Sequence, residues 1–155
     1  MRTTPIFDGG SPADRQRLLA LHDEWLAANN TLDTAAARRL LTTDATAVFF
    51  NINGHAYVGV DHWCRLWDYY RGQFETTEPW TAHDMKVIVR GDMAVISALR
   101  TARLRQIGGD PASSFVTDQR MVFRGTLACA REGSDWKIVH GHFSHASDGP
   151  RPGGI

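Results

Sequence analysis

The sequence predicts one α+β domain in which three N-terminal helices pack on a curved, mostly antiparallel sheet. Helical periodicity is confined to the first half of the chain, and extended runs dominate after Pro79. The joints between those runs have hairpin chemistry, which argues against a parallel, doubly wound sheet built on helical crossovers. With 155 residues, 43% of them hydrophobic, the chain can bury a core large enough to hold a pocket without disulfide or metal staples.

The first helix starts at Ser11, a natural N-cap, with Pro12 where a missing N–H costs nothing and Asp14 in the first turn. Leu18, Leu21, His22, Trp25 and Leu26 recur at helical spacing and form one buried stripe. Thr34 is expected to cap a short second helix, Ala35 to Leu41. The run Ala45 to Phe50 reads as a strand that Asn53-Gly54 turns back into a partner over His55 to Gly59. Asp61 is expected to cap a third helix reaching about Phe74, with Trp63, Leu66, Trp67 and Tyr70 on one face. Four long strands follow, Trp80 to Arg90, Met93 to Gln106, Phe115 to Ala130 and Trp136 to Phe143. Their joints are Gly91-Asp92, Gly108-Gly109-Asp110-Pro111 and Glu132-Gly133-Ser134-Asp135. Gly and Pro gather in residues 1–10 and 147–155, so the reading is one domain over 11–146 with a flexible tail at either end.

Charge and cysteine content exclude several functions. The 17 Lys+Arg balance 17 Asp+Glu and are dispersed, so no basic stripe is available for nucleic acid. No apolar stretch approaches the ~18 residues of a spanning helix, which argues against a membrane partner. Cys64 and Cys129 are the two cysteines, too few for a disulfide framework or a zinc ribbon. Free thiols and the lack of a secretory leader pattern at Met1-Arg2-Thr3-Thr4-Pro5 point to the cytoplasm. Dinucleotide, P-loop, serine-hydrolase and zinc-protease motifs are all missing, so neither a cofactor nor a metal is expected.

Three segments carry a family resemblance: Gly59-Val60-Asp61 opening the third helix, Gly91-Asp92 followed by Ala94 through Arg100, and Trp136 through Ser144. Over roughly residues 12–145 the chain resembles the NTF2-like superfamily. That cone-shaped fold is shared by SnoaL-like polyketide cyclases, ketosteroid isomerases, scytalone dehydratase and the association (hub) domain of calcium/calmodulin-dependent kinase II. The resemblance implies a ligand pocket at the mouth of the cone and a homodimer through the outer face of the sheet. The acid/base positions of ketosteroid isomerases fall at Phe49 or Phe50, near Arg124 or Gly125, and near Trp25, and none is retained. The pocket histidine and three arginines of the hub domains map to Trp63, Arg100, Leu127 and Phe143, of which only Arg100 keeps its type.

Arg100 is therefore the leading candidate. Ala98 and Ala102 flank it on its own strand face and leave room for a ligand, and a guanidinium is a fork suited to a carboxylate or enolate. The alternative is an ion pair at the rim. His140 and His142, two apart on a strand, share a face with Trp136 and Ile138 by simple alternation. They are either an acid/base pair in the pocket or part of an outer dimer face, since the resemblance turns Val139, Gly141 and Phe143 inward. His22 lies in the buried stripe of the first helix as a proton carrier or a core residue, and Tyr57 shares a strand face with His55 as a candidate donor to a carbonyl oxygen. Adjacent residues on a strand face opposite ways, so His83-Asp84 is not expected to pair. Trp25, Trp63 and Trp67, with Phe50, Leu127 and Phe143, are the candidate walls for a flat hydrophobic substrate.

The expected function is cofactor-independent acid/base chemistry, isomerisation, cyclisation, dehydration or hydration, on a hydrophobic, oxygen-bearing small molecule. The rival is a non-catalytic ligand-binding or dimeric association module.

Overall fold

The structure, a computed structural model, describes residues 1–147, 149–150 and 152–153. It has three α-helices, α1 (Pro12–Thr31), α2 (Thr34–Leu40) and α3 (Gly59–Arg71). Seven strands, β1 (Ile6–Asp8), β2 (Val48–Phe50), β3 (Ala56–Val58), β4 (Phe74–Arg90), β5 (Met93–Gln106), β6 (Arg120–Glu132) and β7 (Asp135–His145), form one sheet in the order β1-β4-β5-β6-β7-β2-β3. The sheet is antiparallel except where the short outer strands β1 and β2 run alongside β4 and β7. The α+β architecture is the one the sequence predicts.

Capping chemistry sets the helix limits. The Ser11 side chain accepts from the Asp14 amide and Asp14 returns a bond to the Ser11 backbone, a reciprocal box that satisfies two free donors of α1. Leu32, in the left-handed region at φ 53°, closes that helix. The cap of α2 is Asp33 rather than Thr34, because Asp33 Oδ1 is the atom that accepts from the Ala36 amide at 3.0 Å. Helix α3 begins ahead of Asp61, whose carboxylate pairs with Arg38 instead of capping, and Gly72 ends it so that Phe74 opens β4.

Two further expectations change. Ile6–Asp8, placed in a flexible tail, pairs with Lys86–Ile88 as a strand. Phe115, placed at the start of a strand, lies in the connection between β5 and β6, where a single helical turn over Pro111–Ser113 interrupts the chain.

The core lies between the helices and the inner sheet face. On β5 the inward set is Ala94, Ile96, Ala98, Arg100, Ala102 and Leu104, and on β6 it is Met121, Phe123, Gly125, Leu127 and Cys129, each buried. On β7 the alternation breaks. Cys129 pairs with Ile138 and Ala128 with His140, so Val139 is one extra residue, a β-bulge. Trp136 and Ile138 before the bulge are buried in the core, at 1% and 0% exposure, and Gly141 faces inward after it. The expectation that Trp136 and Ile138 share an outer face with His140 and His142 is therefore corrected. A period of two holds only within an uninterrupted ladder.

Candidate functional site

A cavity of about 600 Å³, counted with its open mouth, lies between the helices and the sheet. Its walls are aromatic. Trp25 of α1 packs against Trp67 and Trp63 of α3 at centroid distances of 5.2 and 6.0 Å, and Phe143 of β7 stacks on Trp25 at an interplanar angle of 14°. Trp80 and Phe123, 5.0 Å apart, close the sheet side. The helical spacing of Trp63 and Trp67 and the inward register of Phe143 after the bulge bring these rings together.

Arg100 lines this cavity. It is 2% exposed, and its Nε and Nη2 have no hydrogen-bond partner among the described residues. The nearest compensation is the Phe143 ring, whose centroid is 5.2 Å from Cζ. No carboxylate is within salt-bridge distance of it among the described residues. Burial lowers its pKa to about 10, which leaves it charged at neutral pH. Its position follows from Gly125: Ala98 pairs with Gly125 across β5 and β6, and the missing side chain is the space the guanidinium fills. The indole Nε1 of Trp63 is a further buried donor without a partner among the described residues.

His22, one turn before Trp25, is fully buried, and among the described residues neither ring nitrogen has a hydrogen-bond partner. Burial, and then the positive charge of Arg100, lower its pKa to about 3, so the imidazole is neutral. His22 does not line the cavity, but it lies close enough to Arg100 to feel its charge.

Other predicted residues lie elsewhere. Phe50 is 42% exposed, with its ring edge-on to His140 and His142 at 5.3 and 5.5 Å, so all three belong to the outer side of the sheet and not to the cavity. His140 Nδ1 donates to the Val48 carbonyl at 2.6 Å, a bond between strands. Phe49, the neighbour of Phe50, is the buried one, because alternation on a three-residue strand turns it inward. Leu127 is at 0% exposure in the core and does not line the cavity. Tyr57 stands behind the wall, its ring edge-on to Trp63 at a centroid distance of 5.9 Å and its hydroxyl accepting from Asn53. His83 and Asp84 do approach, at 3.3 Å, because Asp84 adopts φ 52° at a bulge and leaves the ordinary alternation.

Several lining residues were not among the sequence candidates. Asn51 and Tyr70 line the cavity, as do Phe74 and Phe115. Tyr70 was visible as the last member of the α3 stripe, but periodicity alone cannot separate a lining residue from a packed one. Asn51 carries no sequence signal beyond its place beside a turn. Among the described residues no three His, Cys, Asp or Glu side chains are grouped as a metal ion would need, and no helix is long and apolar enough to cross a membrane.

Comparison with known proteins agrees with this architecture. The SnoaL-like domain model matches residues 18–148. An NTF2-like protein of unknown function from Pseudomonas putida KT2440 superposes with a TM-score of 0.69 at 22% identity, over 90% of this chain and 92% of that one. A ketosteroid isomerase-like protein from Erwinia carotovora atroseptica SCRI1043 gives 0.71 at 13% identity, over 88% and 99%. An NTF2-like protein from Cytophaga hutchinsonii ATCC 33406 gives 0.68 at 14% identity, over 88% and 100%. None of the curated proteins matches the chain in sequence. The helices on a curved sheet, the cavity between them and the family match over most of the sequence lead to one assignment: this chain belongs to the SnoaL-like family and has the NTF2-like fold.

Proposed function

We propose that the cavity binds a flat, largely apolar small molecule bearing an anionic oxygen, and that the protein transforms it by cofactor-independent acid/base chemistry of the SnoaL-like kind: isomerisation, cyclisation, dehydration or hydration. The observation that carries this reading is Arg100, a cation buried to 2% exposure in an aromatic cavity with two donors unpartnered. A buried charge without a counter-ion costs several kcal/mol, so a site that keeps one is matched to an anion that arrives from outside. In a dry enclosure those donors stabilise a developing enolate far more than they would in water. His22 is the proton carrier in this reading: it does not line the cavity, but its imidazole is neutral and within the field of the guanidinium. A structural neighbour named as ketosteroid isomerase-like is consistent with it.

The test is to incubate wild-type protein and Arg100→Met with fractionated metabolite extracts and to follow them by mass spectrometry. The expected result is one species that gains or loses a water, or changes retention time at constant mass, with the wild type only. If no species changes while ligands still raise the melting temperature of the wild type, the protein binds without catalysis.

A second reading, a dimeric association module, is supported by the exposed Phe50 ring set between His140 and His142 on the outer sheet face. In it a second copy of the chain covers that ring. Sedimentation at micromolar concentration is expected to give a dimer that Phe50→Glu converts to monomer, and a monomeric wild type would eliminate this reading.

A further inference from the structure

A second oxygen-recognition point stands in the same cavity. The backbone turn that joins β2 to β3 is closed by the Asn51 amide donating to the His55 carbonyl at 3.0 Å and by the Gly54 amide donating to the Asn51 carbonyl at 3.1 Å. Within it, Asn53 Oδ1 accepts from the His55 amide at 3.1 Å. That bond fixes which way the Asn53 amide points, so the group it directs toward α3 is the NH2. Asn53 Nδ2 donates to the Tyr70 hydroxyl at 2.9 Å and to the Tyr57 hydroxyl at 2.7 Å. Asn51 Nδ2 donates to the Tyr70 hydroxyl at 3.1 Å.

A phenolic oxygen has two acceptor lone pairs and one proton to donate. At Tyr70 both lone pairs are engaged by amide donors, and the proton has no acceptor among the described residues. Donors bound to the oxygen polarise the O–H bond and make it a better donor. Tyr70 lines the main cavity and also a second, more polar recess that shares Phe74 and Phe115 with it and is lined further by Asn53, Gln73, Gln106 and Ser114. Burial, and then the neighbouring Tyr57, raise the phenol pKa, so the proton stays on the oxygen at neutral pH.

We infer that the Tyr70 hydroxyl is a preorganised hydrogen-bond donor to a neutral carbonyl oxygen of the ligand, at a point separate from the anion seat at Arg100. This rests on the reading of Arg100 given above and narrows the ligand class to an aromatic or polycyclic oxo-acid, with its anionic oxygen at Arg100 and a ketone carbonyl toward the polar recess. Tyr70 takes the role that the sequence pattern suggested for Tyr57, whose hydroxyl is held by the same Asn53 but stands behind Trp63.

The test uses two probes of one shape, fluorene-carboxylate and its ketone counterpart fluorenone-carboxylate, titrated by calorimetry into wild type, Tyr70→Phe and Arg100→Met. The ketone is expected to bind the wild type about 3- to 10-fold more tightly than the hydrocarbon acid, the value of one neutral hydrogen bond. Its infrared carbonyl stretch is expected to fall in the complex. Tyr70→Phe should equalise the two affinities and return the stretch to its unbonded position, which a purely structural role for Tyr70 would not do. Equal binding by the wild type with an unshifted stretch overturns the inference without recourse to any variant, and so does a ketone preference that survives in Tyr70→Phe. The Arg100 reading is judged separately: both acids should weaken together in Arg100→Met, and undiminished binding there sinks that reading alone. Failure of both acids to bind the wild type at millimolar concentration overturns both.

Discussion

A methyl group placed on Gly125 would lie 2.4 Å from Nη1 of Arg100, so the glycine is the socket of the guanidinium. Gly125→Ala is accordingly predicted to push Arg100 from its position and to overpack the inner face of β6, at a cost of about 1–3 kcal/mol. A lowered denaturation midpoint together with loss of carboxylate binding is the expected result. Unchanged ligand affinity in a stable Gly125→Ala protein would show that the guanidinium seats elsewhere when ligand is bound.

Arg100 itself is predicted to weaken the empty protein. Its pKa is lowered by burial, which means that the fold disfavours the charged form. For a base whose folded pKa lies below its unfolded value, the unfolded chain holds the proton more tightly, and the penalty is full at all pH values below about 10. Arg100→Met, which keeps the stem and removes the charge, should therefore raise stability by about 1 kcal/mol or more while it abolishes binding of aryl carboxylates. Calorimetric melting of the two proteins without ligand tests the first half; a lower melting temperature for Arg100→Met contradicts it.

His22 gives a pH dependence of its own. The unfolded chain takes up a proton near the ordinary value of 6.5, whereas the folded protein refuses it down to about 3. Stability is thus intact above 6.5 and falls as pH drops through the window between those values, by about 1 kcal/mol per pH unit. The stretch from 6.5 to about 5 lies above the range in which carboxylates titrate. His22→Leu should flatten that stretch in urea titrations repeated across the pH range. An unchanged slope would place the acid sensitivity in another group.

Asp14 ties the start of α1 to the hairpin between β6 and β7. Arg131 donates to its Oδ1 at 2.7 Å and the Trp136 indole at 3.2 Å, while the carboxylate also serves Ser11 in the cap. The bond from Arg131, ahead of that from Ser11, holds the carboxyl well below the usual carboxylate range. Its contribution to stability is then present above about pH 4 and lost as pH falls below it. Asp14→Asn is expected to lower the melting temperature by several degrees at pH 7 and by less at pH 3; an equal drop at both values would assign the effect to geometry and not to charge.

The fold was legible because its signals are local and redundant. Ser11, Pro12 and Asp14 announce α1, the tryptophan stripe announces α3, and the turn sequences separate four long strands. Arg100 was legible for a related reason: two alanines at the neighbouring inward positions of β5 mark a place where a large side chain has room. The rest of the site depends on pairings between distant segments. The room for Arg100 is completed by Gly125 on another strand, and Tyr70 gains its proton-donor character from two asparagines across a turn. The face of His140 and His142 depends on whether β6 and β7 pair one to one through Val139, which a pattern within β7 cannot state. Phe50 was misplaced by the same limit, since a three-residue strand offers too few alternations to fix its parity.

The bulge at Val139 has an evolutionary consequence. It places Gly141 and Phe143 toward the cavity and leaves His140 and His142 outside. Because the bulge absorbs the extra residue, deleting Val139 would leave that parity unchanged; pairing β6 and β7 one to one with Val139 retained would reverse it and carry two imidazoles inward where a glycine and a phenyl ring now stand. A lineage of this scaffold can therefore exchange an apolar wall for a basic one by shifting the bulge to a point beyond His142, with the residues of the strand unchanged. Shifts in the position of that bulge, more than substitutions in the wall itself, are the events by which close relatives would be expected to diverge in chemistry.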